Sequence, residues 1–172
     1  FELLSALFEW GKSQLKGVKI QPEGITLQPL IQKNIDLLAP QAILKNITIS
    51  NSADADLHVY ADPNHVDFII RNLLSNAIKF TPDGGSISIS TDRSDDMATI
   101  AVKDTGVGIS PAQQHDFIKG SLHVSFGTRG EKGSGLGLLL TKEFIAANGG
   151  KIWLTSEPGR GTTFYCSLPL SN

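Results

Sequence analysis

The sequence has few of the residues that build disulfides, metal centres or membrane spans. A single cysteine among 172 residues excludes an intrachain disulfide, and four scattered histidines without cysteine partners do not make a zinc site. No apolar run reaches transmembrane length and no signal-peptide pattern is present, so we expect a soluble chain. A formal net charge of −2 provides no overall field for gathering nucleic acid. These absences favour a domain from a reducing compartment, and a hydrophobic fraction of 40% is enough for a full core.

Two common phosphate-binding motifs are also missing. The glycine-rich stretch at 131–138 reads EKGSGLGL and lacks the Gly-Lys-Ser/Thr of a Walker loop. The sixth position of a dinucleotide-binding fingerprint falls on Leu138 or Leu140 instead of glycine. The stretch still precedes a predicted helix, and helix N-termini attract phosphate. It is therefore either a flexible loop before a helix or a nucleotide site of a third kind.

Hydrophobic periodicity predicts about three long helices and five to seven strands. The helices are expected at 29–45, 63–79 and 135–148, and a shorter amphipathic helix is expected at 1–16. Alternating apolar residues predict strands in ITIS, HVYA, DGGSISIST, MATIAVKD, KIWLTS and TTFYCSLPL, the last of which contains Cys166 as a buried, inert thiol. Residues 109–132 lack periodicity and are expected to form a long loop, which in a compact domain is usually either functional or disordered. Adjacent strand pairs favour a two-layer α+β sandwich over a doubly wound sheet.

Three polar clusters could carry chemistry, and each also has a plainer explanation. Asn72, Asn76 and Lys79 lie one turn apart on the central helix, either as a solvated surface or as ligands for Mg²⁺ and phosphate. Asp104, in DTGVGI, either begins a simple turn or holds a carboxylate against an adenine amino group. EKGSGLGL is the third cluster. Their order along the chain favours a single nucleotide site.

The segments NLLSNAIKFT, DTGVGIS, GSGLGLLLTKEF and SEPGRGTTFYCSLP, in this order, resemble the catalytic ATP-binding domain of two-component sensor histidine kinases. That domain belongs to the superfamily of gyrase B, the heat-shock chaperone ATPases and MutL. The resemblance implies an α+β two-layer sandwich, with a mixed, mostly antiparallel sheet on three helices and a long ATP lid at about 109–134. Residues 1–21 would be the end of a dimerisation helix and a linker, and residues 22–172 the ATP-binding domain.

The resemblance implies a role for each matching residue. Asn76 would coordinate Mg²⁺, Asn72 would face the phosphates, and Lys79 would contact them. The adenine would meet Phe80, Asp104, Gly106, Gly108 and Ile109, with Thr162 joining the same pocket. The backbone of Gly133, Ser134, Gly135, Leu136, Gly137 and Leu138 would receive the phosphates, and Arg129 and Lys132 would be cations of the lid. Phe117 approximates the family's lid phenylalanine. ATP and Mg²⁺ are thus the expected ligands.

Two positions distinguish a kinase from a hydrolase in this superfamily. Hydrolytic members carry a glutamate one turn before the metal-binding asparagine, as a general base for water, and this chain has Asn72 there. They also tend to carry aspartate three residues after that asparagine, where this chain has Lys79. Both departures favour a kinase that holds ATP for another nucleophile.

The resemblance makes that nucleophile a histidine, and no histidine here qualifies. His115-Asp116 lacks the Thr/Asn-Pro that follows the family's phosphoacceptor, and it lies in the predicted lid. The acceptor is therefore expected on a separate dimerisation domain, within a homodimeric parent that is cytoplasmic or anchored in the inner membrane. The phosphoryl group would pass on to a response-regulator receiver domain, and no nucleic acid is involved. The alternatives are an ATP-sensing or scaffold module without phosphotransfer and a hydrolytic ATPase.

Overall fold

The computed structural model describes residues 20–119, 127–131 and 135–171, together with Gly11 and Gly133. The elements follow in the order β1 (Glu23–Thr26), α1 (Leu27–Leu44), β2 (Thr48–Ser52), β3 (His58–Ala61), α2 (Pro63–Phe80), β4 (Ser86–Ser94), β5 (Met97–Asp104), α3 (Pro111–Lys119), α4 (Leu136–Ala147), β6 (Lys151–Glu157) and β7 (Gly161–Pro169). None of these helices is both long and apolar enough to cross a lipid bilayer. The predicted helix at 1–16 lies outside the described residues except for Gly11.

The strands form one large sheet and one small one. The large sheet has the order β2-β4-β5-β7-β6, in which β2 and β4 are parallel and the other neighbours are antiparallel. Strands β1 and β3 pair separately as a two-stranded antiparallel sheet. The predicted α+β class with a mixed, mostly antiparallel sheet is confirmed.

Helix α2 forms where the sequence carries both a start signal and an apolar face. The side chain of Asp62 accepts hydrogen bonds from the backbone N–H groups of Asn64 and His65, and Pro63 occupies the tolerated first position. Seven residues at helical spacing are buried against the core: Val66, Ile69, Ile70, Leu73, Leu74, Ala77 and Ile78. The helix ends at Phe80, close to the predicted end at 79. Its polar residues therefore project from a firmly packed element.

The core lies between one face of the large sheet and the helices. Alternate residues of the central strands point into it, among them Ile87, Ile89, Ile100 and Val102. Cys166 belongs to the same layer and is completely buried. Burial raises the pKa of its thiol to about 12, so the thiol stays protonated at neutral pH. The prediction of a buried, inert cysteine is confirmed.

The loop predicted over 109–132 is wrong at its first third, because helix α3 occupies Pro111–Lys119. The local signal is a capping box, in which the Ser110 backbone N–H donates to Gln113 Oε1 and the Gln113 N–H donates to Ser110 Oγ. Phe117 packs edge-on against Phe164, with ring centroids 5.7 Å apart. The predicted three helices therefore become four in the described part of the chain.

Candidate nucleotide-binding site

Asp104 lies buried at the end of β5, where the sheet gives way to a tight turn. Its Oδ1 accepts hydrogen bonds from the backbone N–H groups of Gly106 at 2.8 Å and Thr162 at 3.1 Å. Burial raises the pKa of the carboxyl group, and these two hydrogen bonds only partly oppose that rise. Because both backbone donors share Oδ1, the geometry leaves Oδ2 as the acceptor for a ligand.

The glycines after Asp104 allow a close approach of three backbone segments. A Cβ on Gly106 would lie 2.6 Å from the carbonyl oxygen of Phe80. Gly108 has φ +75°, and a Cβ there would lie 2.2 Å from the carbonyl oxygen of Glu157. The Val107 N–H donates to the Phe80 carbonyl at 3.1 Å. The turn is thereby fixed between the end of α2 and the end of β6.

Three hydrogen-bonded residues, Ile109, Ser156 and Thr162, lie behind this turn. The backbone N–H of Ile109 donates to Ser156 Oγ at 2.8 Å, and the hydroxyl groups of Ser156 and Thr162 lie 2.8 Å apart. Sequence reasoning identified Ile109 and Thr162 but missed Ser156. The signal was available, since strand alternation in KIWLTSE places Ser156 on the same half-buried face as Ile152 and Leu154.

The polar residues of α2 form one half-buried stripe. Asn72, Asn76 and Lys79 are each partly exposed, and the amide nitrogen of Asn76 donates to Asn72 Oδ1 at 3.3 Å. That hydrogen bond directs the amide nitrogen of Asn76 towards Asn72 and leaves its Oδ1 for another partner. Burial lowers the pKa of Lys79, although the negative charge of Glu131 opposes this. The ammonium of Lys79 also lies 5.0 Å from the centre of the Phe80 ring.

The glycine-rich start of α4 meets this stripe directly. Gly135 is the N-cap residue, with φ +72°, and it has no side chain to occupy the backbone N–H groups of the first turn. A Cβ on Gly137 would lie 2.1 Å from the amide nitrogen of Asn72. Leu138 packs against the core below. The predicted residues Lys132 and Ser134 lie outside the described residues, whereas Gly133 and Leu136 flank this start.

The fold thus brings the three sequence clusters to one place. The Asp104 turn is hydrogen-bonded to the end of α2, and the start of α4 touches the same helix about two turns earlier. A buried carboxylate, an amide side chain and a helix N-terminus are thereby gathered along α2, and we call the space between them the cleft. In general, a carboxylate can accept a hydrogen bond from an amino group, an amide oxygen can coordinate Mg²⁺ and a helix N-terminus attracts anions.

Arg129, predicted as a lid cation, has other partners in this structure. Its guanidinium donates to Asp83 through Nε at 3.1 Å and to the carbonyl of Leu44 at 3.0 Å. The hydrogen bond from Arg129 holds the pKa of Asp83 below its usual value. Both side chains are about half exposed, so solvent weakens the pair. The role of Arg129 towards phosphate stays a prediction.

Replacing Gly137 by alanine should separate binding from stability. Alanine is the better helix former by up to about 1 kcal/mol, so the melting temperature should not fall. The new methyl group would displace the Asn72 amide. Losing the hydrogen bond expected between this amide and the phosphates, about 1 kcal/mol, should weaken Mg-ATP binding roughly fivefold. Calorimetric titration beside thermal unfolding tests this. Unchanged affinity would show that Asn72 and the α4 start do not act together.

An α+β sandwich with these three clusters at one cleft defines a nucleotide-binding domain. The profile of the family described as "Histidine kinase-, DNA gyrase B-, and HSP90-like ATPase" matches residues 61–172. The chain belongs to this family.

Curated relatives carry kinase names. The chain is 33% identical over 171 residues to the adaptive-response sensory kinase SasA of Synechococcus elongatus, covering 98% of this chain and 43% of SasA. It is 36% identical over 143 residues to sporulation kinase E of Bacillus subtilis, covering 82% of this chain and 19% of that kinase. It is 37% identical over 124 residues to the sensor histidine kinase WalK of the same species, covering 70% and 20%. The chain therefore spans less than half the length of these relatives.

Solved structures share the fold. The catalytic domain of histidine kinase ThkA has a TM-score of 0.75 at 26% identity, covering 87% of this chain and 95% of that one. Full-length ShkA in complex with AMPPNP has a TM-score of 0.83 at 24% identity, covering 99% and 36%. ThkA in complex with the response regulator TrrA has a TM-score of 0.76 at 22% identity, covering 99% and 48%.

Proposed function

We propose that this chain is the ATP-binding catalytic domain of a two-component sensor histidine kinase. It binds Mg-ATP and donates the γ-phosphoryl group to a histidine on a dimerisation domain of the parent protein. The observation that carries the proposal is the position of Asn72, next to Asn76 on α2 and in contact with the start of α4. A hydrolase of this family needs a general base there, and an amide cannot accept the proton of water.

The residues on the cleft fit ATP with Mg²⁺. Asp104 Oδ2 accepts a hydrogen bond from the adenine amino group. The glycines beside it have no side chains, so the base can lie close to the backbone. Asn76 Oδ1 is the protein's ligand for Mg²⁺, a cation that keeps several waters and takes its remaining ligands from phosphate oxygens. Lys79 and the N-terminus of α4 face the phosphates. When bound, the metal neutralises charge on the β- and γ-phosphates.

Catalysis by this domain rests on positioning. The chain holds the nucleotide at both ends, with the base at Asp104 and the phosphates between α2 and α4, so that the γ-phosphoryl group points to the acceptor. Among the described histidines, His58 bonds Thr26, His65 stacks on Phe144, and His115 is exposed on the short helix α3. His58 lies on strand β3, His65 lies in the first turn of α2 and His115 lies on the nine-residue helix α3, so none of these three has the setting expected for the acceptor.

The partners follow from this role. The parent is a homodimer whose own dimerisation helices supply the histidine, and the phosphoryl group then passes to a receiver-domain aspartate. ThkA, which has the same fold, has been crystallised with the response regulator TrrA. The domain acts in the cytoplasm, whether or not the parent is anchored in the inner membrane.

Two other functions give different results in simple assays. An ATP-sensing or scaffold module would bind Mg-ATP but never phosphorylate its parent, and a hydrolase would release phosphate without a second segment. Intact phosphotransfer by the full-length parent excludes the first, and a stable ATP complex of this chain excludes the second.

Asn76→Ala should abolish most of the magnesium dependence of ATP binding. Alanine keeps the helix, because its helix propensity exceeds that of asparagine. We expect the ratio of ATP affinities measured by calorimetry with and without Mg²⁺ to fall to near one. Asn64→Ala is the matched control, since Asn64 is exposed in the first turn of the same helix, about 18 Å away. An unchanged magnesium response in Asn76→Ala would rule out this residue as the ligand.

A further inference from the structure

The ammonium group of Lys45 is almost completely buried against the end of α2. The residue follows α1 directly and is 3% exposed. Its Nζ donates to the carbonyl oxygens of Ile78 at 2.8 Å and Lys79 at 3.1 Å. The last carbonyls of a helix have no partner within it, and a cation there is favoured by the helix dipole. Lys45 thus caps the helix that carries the amide stripe.

The same ammonium also contacts the segment 127–131, which we call the lid base. Nζ donates to Thr128 Oγ1 at 2.7 Å and to Glu131 Oε1 at 3.4 Å. The Thr128 N–H donates in turn to the Lys79 carbonyl at 3.0 Å. One buried cation therefore joins the lid base to the end of α2.

This arrangement fixes where the carboxylate of Glu131 lies. Its Oε1 meets Lys45, and its Oε2 accepts the backbone N–H of Arg129 at 2.8 Å. Gly127 separates it from Lys79, since a Cβ on Gly127 would lie 2.4 Å from Glu131 Oε2 and 2.6 Å from Lys79 Cγ. Only Gly127, which has no side chain, thus lies between the carboxylate of Glu131 and the aliphatic part of the Lys79 side chain.

We propose that Lys45 is a positioning residue of the nucleotide site, which holds Glu131 and the lid base so that Glu131 does not pair with Lys79. The inference rests on the proposed function, in which Lys79 contacts the phosphates. Without the buried ammonium, Glu131 loses its partner at Oε1, and its charge, which already acts on Lys79, is free to draw the carboxylate into an ion pair with that lysine. A glutamate paired with Lys79 then competes with the phosphates for the same charge.

The test is a double-mutant cycle on Mg-ATP affinity, measured by calorimetry with Lys45→Met, Glu131→Gln and the combined variant. Lys45→Met should weaken binding about two- to fivefold, as expected for a competing partly exposed ion pair. Glu131→Gln alone should tighten binding about two- to threefold, because it removes a negative charge beside the phosphates. The combined variant should return to within about twofold of the wild type.

The rescue distinguishes positioning from simple support of the fold. If Lys45 only anchored the lid base, Glu131→Gln would remove another anchor and weaken binding further. Lys33→Met is the matched control, because Lys33 lies on α1, the helix that Lys45 follows, is exposed and pairs with Asp67 away from the lid base. Circular dichroism confirms that each variant is folded. Should Lys45→Met fail to fold, the sign of the Glu131→Gln effect still decides.

Any other result of the double-mutant cycle contradicts either the role of Lys45 or the proposed function. Wild-type affinity in folded Lys45→Met, no rescue in the combined variant, or weaker binding by Glu131→Gln would overturn the role of Lys45 alone. A wild-type chain that binds no Mg-ATP would overturn the proposed function and this inference with it.

Discussion

Asp104→Asn should weaken ATP binding by roughly 10- to 150-fold, since a hydrogen bond to a charged group contributes about 1.5–3 kcal/mol. The structure explains why asparagine cannot replace the carboxylate. The side-chain oxygen of asparagine would keep the two backbone donors, Gly106 and Thr162, that now share Oδ1. The amide nitrogen would then occupy the position of Oδ2. A donor would face the adenine amino group, which is also a donor.

Nucleotide preference and a control variant complete this prediction. Wild-type protein should bind ATP more tightly than GTP, because guanine presents an acceptor where adenine presents the amino group. Asp92→Asn is the matched control, as Asp92 is exposed on β4 of the same hairpin. Calorimetric titration of both variants with both nucleotides measures the effect. Equal wild-type affinity for ATP and GTP would contradict the adenine assignment.

Unfolding should not account for the loss of affinity. Burial raises the folded-state pKa of Asp104 above its ordinary value of 3.8. When a carboxyl group has a higher pKa in the folded state than in the unfolded state, the free energy of unfolding of the protein decreases as the pH rises from the unfolded pKa through the folded pKa. At neutral pH the wild type therefore carries an unfavourable buried charge. Asp104→Asn should melt at the same temperature or higher, while its ATP affinity falls.

The elements that the sequence predicts well are those with several local signals in agreement. Helix α2 has a capping aspartate, a proline at the first position and a continuous apolar face, and its observed bounds agree with the prediction to within a residue. Strands β4 and β5 alternate apolar and polar residues and pair in the predicted hairpin. Local propensity and tertiary packing favour the same structure in both cases.

The sequence does not predict helix α3, because the helix lacks an apolar period and its only other signal, the capping box, is short. No residue of α3 is fully buried, so its apolar residues show no clear period. Its stability comes from a two-residue capping box and from Phe117 against Phe164, which lies 47 residues away. The capping box was readable from Ser-Pro-Ala-Gln, whereas the aromatic contact required the fold.

The polar clusters were readable, but the contacts between them were not. The spacing of Asn72, Asn76 and Lys79 defines a stripe on one helix, yet nothing in that spacing places Gly137 against Asn72. Lys45 had no sequence signal at all. A lysine after a helix is normally solvated, whereas here the carbonyls at the end of α2 and the docked residues 127–131 together surround its ammonium. Long-range partners of this kind escape single-sequence reasoning.

Phosphotransfer should appear only when the missing acceptor is supplied. Alone, this chain should bind Mg-ATP without labelling itself and without appreciable turnover, since Asn72 provides no base for water. Adding the parent's dimerisation segment in cis should yield phosphohistidine on that segment. As a separate chain at micromolar concentration it should react on the order of 1,000-fold more slowly, because a short tether gives a roughly millimolar effective concentration.

The assay that decides is incubation with γ-labelled ATP, followed by acid and base treatment of the labelled band. Phosphohistidine is acid-labile and stable to base, whereas phosphoserine survives acid. Asn76→Ala in the tethered protein should abolish the label, which ties the signal to the site on α2. Rapid phosphate release by this chain alone, abolished by Asn76→Ala, would overturn the proposed kinase function in favour of an ATPase. Acid-labile label on His115 would place the acceptor within this chain. Label on the added segment, with neither of these signals, means that the cleft holds ATP for a nucleophile that another domain must bring to it.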